Sequence, residues 1–200
     1  MSAETAPDPV FEPAVVEQPK RKKSRRIWWT LAGIAAVCIG AFAALRCLGG
    51  VSLPSGFHSG HAYVDLGLPS GTKWATCNAG AFIPSGIGHV FTWTDADAVM
   101  KEWGGDWRLP TENDFEELLD EDNCTWAWTT IGFRKGYKVT SKKNGNSIFL
   151  PENNGTGWGY YWSSTQDIYD HVYVLNINCD WHEVHSYYDS SIFGIRPVFK

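Results

Sequence analysis

The sequence predicts an α+β fold: a domain dominated by antiparallel strands, set behind one N-terminal transmembrane helix. Three observations carry that expectation. An uncharged run occupies residues 27–45. After it, short strand-like stretches alternate with turn residues, and only two brief windows have the apolar spacing of helices. The chain of 200 residues is 44% apolar and 20% charged, an ordinary globular balance. A mean hydropathy of −0.25 excludes several membrane spans, and 11 Trp with 20 Gly exclude a wholly disordered chain.

Residues 1–26 read as a disordered cytoplasmic tail. Pro7, Pro9, Pro13 and Pro19 alternate with Glu4, Asp8, Glu12 and Glu17, leaving too little apolar surface to offset the entropy of ordering. The tail ends in the basic run 20–26 (KRKKSRR). Residues 27–48 read as the transmembrane helix, because 19 uncharged positions at about 1.5 Å each reach roughly 28 Å, close to the hydrocarbon thickness. Six basic residues precede the span and Arg46 alone follows it closely, while Trp28 and Trp29 stand at the interface. These flanks predict a single-pass signal-anchor in the cell membrane, with the N-terminus cytoplasmic and the C-terminal domain periplasmic or extracellular. A cleaved signal peptide would need a shorter apolar core nearer the start, and a lipoprotein signal would need a small residue before Cys38 or Cys47, where Val37 and Arg46 stand. Ala32, Ala36, Gly40 and Ala44 space small residues for close helix pairing.

Residues 49–60 (GGVSLPSGFHSG) read as a linker, and 61–200 as one outward-facing domain. From Gly49 onward 10 basic residues face 18 acidic ones, a net of about −8, which argues against nucleic acid as a partner. Within the domain, strands are expected near Tyr63–Leu66 and Trp74–Thr76, and a first helix over Asp95–Trp103. A second helix starts after Pro110, where Thr111 caps it, Asp114 answers from the third position, and Phe115, Leu118 and Leu119 share a face. A strand follows near Trp126–Thr129. Gly136–Lys142 and Asn146–Leu150 flank Lys143-Asn144-Gly145, a hairpin signal. Tyr160–Ser163, Val172–Ile177 and Ile192–Val198 complete the strands.

Four blocks occur in order across residues 63–198: Tyr63-Val64-Asp65-Leu66-Gly67-Leu68-Pro69-Ser70-Gly71-Thr72-Lys73-Trp74-Ala75-Thr76-Cys77-Asn78, then Trp103-Gly104-Gly105-Asp106-Trp107-Arg108-Leu109-Pro110-Thr111, then Gly159-Tyr160-Tyr161-Trp162-Ser163-Ser164-Thr165, then Ile195-Arg196-Pro197-Val198. Together they resemble the Fibrobacter succinogenes major paralogous domain family of Bacteroidetes surface proteins. That resemblance implies a C-type-lectin-like, formylglycine-generating-enzyme-like fold, with two short helices on small twisted antiparallel sheets. It also suggests kinship with the variable proteins of diversity-generating retroelements, whose diversity arises at Asn codons mutated at adenine. Tyr169, Asp170, His171, Asn178, Cys179, His182, His185, Tyr187, Tyr188 and Asp189 fit such an origin, while Trp181 and Glu183 do not and would be fixed scaffold.

The chemistry-bearing residues point to binding, with no catalytic residues, no metal and no cofactor expected. Arg108 and Arg196 read as structural guanidiniums that satisfy buried carbonyls or a carboxylate, and Trp74, Trp103, Trp107, Trp126, Trp128, Trp158 and Trp162 as core. Cys77 and Cys124 are a candidate disulfide pair, leaving Cys179 without the second thiol that formylglycine-type oxidation uses. Cys179 with His182 lacks an orienting third group. Pro151-Glu152-Asn153 has the wrong order for a calcium lectin, and the His58/His61 and His182/His185 pairs have no partner pair to complete a zinc site. The informative stretch is 167–191, where Asp, Tyr, His and Ser concentrate: it reads either as a polar strand face or as a paratope-like surface. Asp167, Tyr169, His171, Tyr173, His182, His185, Tyr187, Tyr188 and Asp189 are the expected ligand-binding residues. The function expected is a membrane-anchored, non-enzymatic module for a protein or glycan ligand; the second reading is a structural or envelope-organising domain without a discrete site.

Overall fold

The computed structural model describes residues 50–200, so the expected tail (1–26) and transmembrane helix (27–48) lie outside the described residues. Among the described residues no helix is long and apolar enough to cross a membrane. Ten strands and two helices among the described residues make the α+β domain expected, with the strands in three small antiparallel sheets.

The first sheet joins β1 (Gly56–His58), β2 (His61–Asp65), β3 (Lys73–Ala75) and β10 (Val198–Phe199) in that order. Its first hairpin turns through Ser59 and Gly60, both at positive φ (46° and 85°), a two-residue turn whose twist suits antiparallel strands. The expectation of a linker over 49–60 is therefore corrected. Val51 and Ser52 are buried, Val51 packs with Ile131 and Phe149, and the Ser147 N–H donates to Ser52 Oγ at 2.7 Å. Those contacts are long-range and invisible in a Gly/Ser/Pro composition.

Helix α1 (Trp93–Trp103) begins two residues earlier than expected because Thr92 caps it, its Oγ1 accepting from the Asp95 N–H at 3.3 Å. Helix α2 (Glu112–Leu119) follows the predicted capping box: the Asp114 N–H donates to Thr111 Oγ1 at 3.1 Å and the Thr111 N–H to Asp114 Oδ2 at 2.8 Å. Asp114 is itself buried and also receives Arg108 Nη1 at 2.6 Å and Thr72 Oγ1 at 2.8 Å. Burial would raise its pKa, but these donors outweigh it and hold the carboxyl at about 2.

The second sheet contains β4 (Cys124–Ile131), β5 (Arg134–Ser141) and β6 (Ser147–Pro151). The β5–β6 hairpin is the one marked by Asn144-Gly145, although its loop is five residues long, with Gly145 at φ 73° and the Lys143 N–H held by Ser141 Oγ. The third sheet orders β7 (Gly159–Gln166), β8 (Val172–Ile177) and β9 (His182–Tyr187). Strand β9 is the polar strand face allowed for within 167–191.

Side-chain parity gives this third sheet two working faces. Leu175 and Ile177 join Val64, Trp74, Phe115, Leu118, Tyr137, Leu150 and Tyr161 in the larger core. Val172 and Val174 join Ala96, Met100, Leu109, Trp162 and Ile195 in the smaller one. Trp74, Trp107 and Trp162 are core as expected; Trp103, Trp126, Trp128 and Trp158 are half-buried, and Trp158 belongs to neither of these clusters. Arg196, fully buried, donates to Asn78 Oδ1 (2.9 Å), Ala75 O (3.0 Å) and Phe149 O (2.6 Å), the structural role its sequence context suggested.

Of the strand expected over Ile192–Val198 only Val198 is in β10, which it forms with Phe199. Pro197 has no N–H to donate, and the segment is pinned to a different neighbour at nearly every step: Phe193 to Phe91, Gly194 to Tyr160 and Trp162, Ile195 to Ala79, Pro197 to Ala75, Val198 to Arg108. The Cys77–Cys124 pairing is also corrected, since both are free thiols. Cys77 neighbours Arg196, whereas Cys124 is buried at the start of β4 near Glu117, Asp120 and Lys142, where burial pushes its thiol up to about 11.

Candidate functional site

Two asparagine-based turns present a pair of tryptophans at one end of the third sheet. Before β7, Asn154 Oδ1 accepts from Thr156 N–H (3.0 Å) and Trp158 N–H (3.2 Å), while the Asn153 side chain clamps both backbone groups of Tyr160. Between β8 and β9, Asn178 Oδ1 accepts from Asp180 N–H (2.8 Å) and Trp181 N–H (3.0 Å). Both are local side-chain-to-backbone bonds of the kind Asn makes well in turns. They fix the Trp158 and Trp181 rings edge to face, with centroids 5.0 Å apart at 77°.

Below the tryptophans, register sets one row across the sheet: Tyr160 opposite Asn176, and Asn176 opposite Glu183. Two same-face steps further along β9, Tyr187 stands edge-on to Tyr160 at 5.8 Å and reaches back to the Asn176 amide, Nδ2 to Oη at 2.7 Å. Phe193 stacks on Tyr160 at 4.8 Å and stands edge-on to Tyr187 at 5.4 Å, closing a triangle of rings. Trp158, Tyr160, Asn176, Trp181, Glu183, His185, Ser186 and Tyr187 thereby line a groove of about 310 Å³, near the lower bound for small-molecule sites. Glu183 and His185 pair through Oε1 and Nε2 on its rim.

Asn176 is the unusual member. It is 2% exposed, yet its Oδ1 has no hydrogen-bond partner. Turning the amide does not remove the vacancy, because Tyr187 Oη can donate or accept and the other polar atom stays unpaired. A buried polar atom left unpaired costs about 1–3 kcal/mol. Trp74 Nε1 and His182 Nδ1 are also unpartnered, but of the three residues Asn176 alone is among those lining the groove.

The expected ligand residues distribute over three places. His185 and Tyr187 belong to the groove. Asp167, Tyr169, His171 and Tyr188 meet at the opposite end of the sheet, where Asp167 Oδ1 accepts from Tyr169 N–H (2.8 Å) and His171 N–H (2.9 Å), and His171 stands edge-on to Tyr188 at 4.8 Å. Desolvation at Asp167 is outweighed by those N–H donors, which hold its carboxyl below the usual range. Tyr169 and Tyr188 are exposed there, beside an exposed Ile168. Tyr173 and His182 fall on the other face of the sheet by strand parity. His182 stacks on Trp126 at 4.3 Å and abuts Tyr137 at 4.7 Å, and burial pushes its pKa down against the pull of Glu121. It packs the domain instead of facing the groove. Asp189 follows β9 and its carbonyl accepts the Trp93 N–H at the start of α1.

Reading the sequence missed Trp158, Tyr160, Asn176, Trp181 and Glu183 as groove residues. The signal that finds them is the pair of Asn-rich turns, Asn153-Asn154 and Asn178, each followed within a few residues by Trp. His58 and His61 stack on Phe199 (4.2 Å) and Trp103 (3.7 Å), and among the described residues no group of three or more His, Cys, Asp or Glu side chains converges as a metal site. Compared with known proteins, the chain matches no family model, no curated protein and no solved structure.

Proposed function

We propose that this protein is a membrane-anchored, non-enzymatic binding module: residues 27–48 anchor it with the N-terminus in the cytoplasm, and the outward domain holds a protein or glycan ligand on the groove face of β7–β8–β9. The observation that carries the reading is the preformed groove, with rigid aromatic walls and a buried amide that lacks its partner. Walls fixed by local turns lose little freedom when a ligand docks, so more of the contact energy appears as affinity. The resemblance to the Fibrobacter succinogenes major paralogous domain family supports a surface location. If the late segment is retroelement-diversified, Trp181 and Glu183 are its constant part and His185 and Tyr187 its variable edge; a near-copy of codons 167–191 with Asn codons nearby in the gene decides that point.

Immobilised full chain, exposed to an extract of cell-envelope proteins and polysaccharides, should retain a component, and Trp181→Ala should reduce retention by about tenfold or more with melting within about 2 °C of the parent. Equal retention by parent and variant overturns the reading.

A further inference from the structure

We infer that the groove takes an uncharged sugar residue of a glycan chain, an assignment that rests on the binding-module reading above. Three features of the site converge on that chemistry.

The first is the pair of aromatic planes. One face of a pyranose ring carries several C–H groups of slight positive charge, which seat on the electron-rich face of an indole or phenol. Trp158 and Trp181, held near right angles, offer one such ring a floor and a wall. The second feature is the Asn176 amide, which lines the groove and whose Oδ1 is buried without a partner. A sugar hydroxyl donates or accepts as required, so it completes the amide whichever way that group is turned. An aliphatic or purely aromatic ligand would leave the vacancy unfilled. The third is charge. Glu183 pairs with His185 through Oε1 and keeps a second carboxylate oxygen at the rim, suited to hydroxyl donors and repellent to a carboxylate or sulfate, and the domain around it is net acidic. Uronic, sialic and sulfated residues are therefore disfavoured.

A peptide is the competing occupant. Strand β9 lies at the edge of its sheet, so its outer backbone groups are open to an added strand. Pairing at that edge, however, would not require the tryptophans or fill the Asn176 vacancy.

The test is calorimetry of the full chain in detergent against unsubstituted hexasaccharides of the gluco, manno, xylo, galacto and N-acetylglucosamine series, with sulfated and uronate hexasaccharides alongside. At least one neutral member should bind. Trp158→Ala, Trp181→Ala and Asn176→Leu should each weaken it about tenfold or more, and Trp181→Phe, which keeps a flat face, should recover most of that loss. The phenylalanine variant also guards against misfolding of the β8–β9 turn. Absence of binding to every neutral member, preference for an anionic one, or equal affinity in parent and Trp181→Ala overturns the assignment. The two levels separate in the envelope extract: if Trp181-dependent retention survives periodate destruction of the extract's sugars, the sugar assignment fails and the binding-module reading stands. If retention does not depend on Trp181, both fail.

Discussion

On β9, His182 and His185 stand three residues apart and meet opposite surroundings. His182 packs against both Trp126 and Tyr137 with Nδ1 buried and unpartnered, whereas His185 pairs with Glu183 on the rim of a groove. The same contrast divides the tryptophans of the third sheet. Trp162 is fully buried and donates Nε1 to Phe91 O at 2.7 Å, while Trp158, four residues earlier on the same face, stands half-exposed beyond the end of the ladder. Residue type is common to both members of each pair. What separates them is strand parity for the histidines and distance from the second core for the tryptophans.

The sharpest way to break this comparison is to truncate both tryptophans. Trp162→Ala should destabilise by about 3–5 kcal/mol in denaturant melts, enough to unfold a marginal domain. Trp158→Ala should cost less than about 1 kcal/mol, because its half-exposed ring belongs to neither larger cluster and meets the smaller one only through Tyr160. Similar losses from both would erase the distinction between core and groove. At the far end of the sheet, Tyr169→Ala and Tyr188→Ala should leave stability within about 0.5 kcal/mol, and measured binding will show whether that tip extends the ligand surface, with a loss of about 1–3 kcal/mol for at least one of them if it does.

Acid titration gives the next effect. Asp114 has a folded pKa near 2 against an ordinary value of 3.8, so its contribution is complete above about pH 4 and is lost as pH falls through 2. The amount is about 2 kcal/mol, and Asp114→Asn should flatten that limb of a stability-versus-pH curve. A smaller limb belongs to His182. Its pKa is depressed by burial, so the unfolded chain takes up the proton first and stability falls as pH drops below about 6.5. His182→Phe should remove part of that fall, with His61, also depressed by burial, supplying another part.

Much of the fold was legible because it is locally encoded. The Thr111–Asp114 capping box lies within four residues, and the Asn144-Gly145 turn within five. Arg108 and Arg196 announced themselves as charged residues inside Trp- and Pro-rich stretches. The parts that escaped depend on pairing across the chain. Residues 49–60 look like a linker until Ser52 meets Ser147, and β9 carries polar residues on both faces, so no period of two marks it. The groove escaped for the same reason: Tyr160, Asn176 and Glu183 form a row only once the register of three strands is known. Of the nine residues expected to bind, the two that the structure sets in the groove, His185 and Tyr187, share the parity of Asn176, which no composition argument distinguishes from that of His182 and Tyr173.

The Arg196 guanidinium reaches a strand of the first sheet through Ala75 and one of the second through Phe149. Peeling β6 away while β3 stays closed would strand a buried cation with part of its acceptors gone, which costs several kcal/mol. The two sheets therefore open as one unit, and deuterium should enter the protected amides of β3 and β6 through a shared opening event at a common free energy, although no ladder joins them.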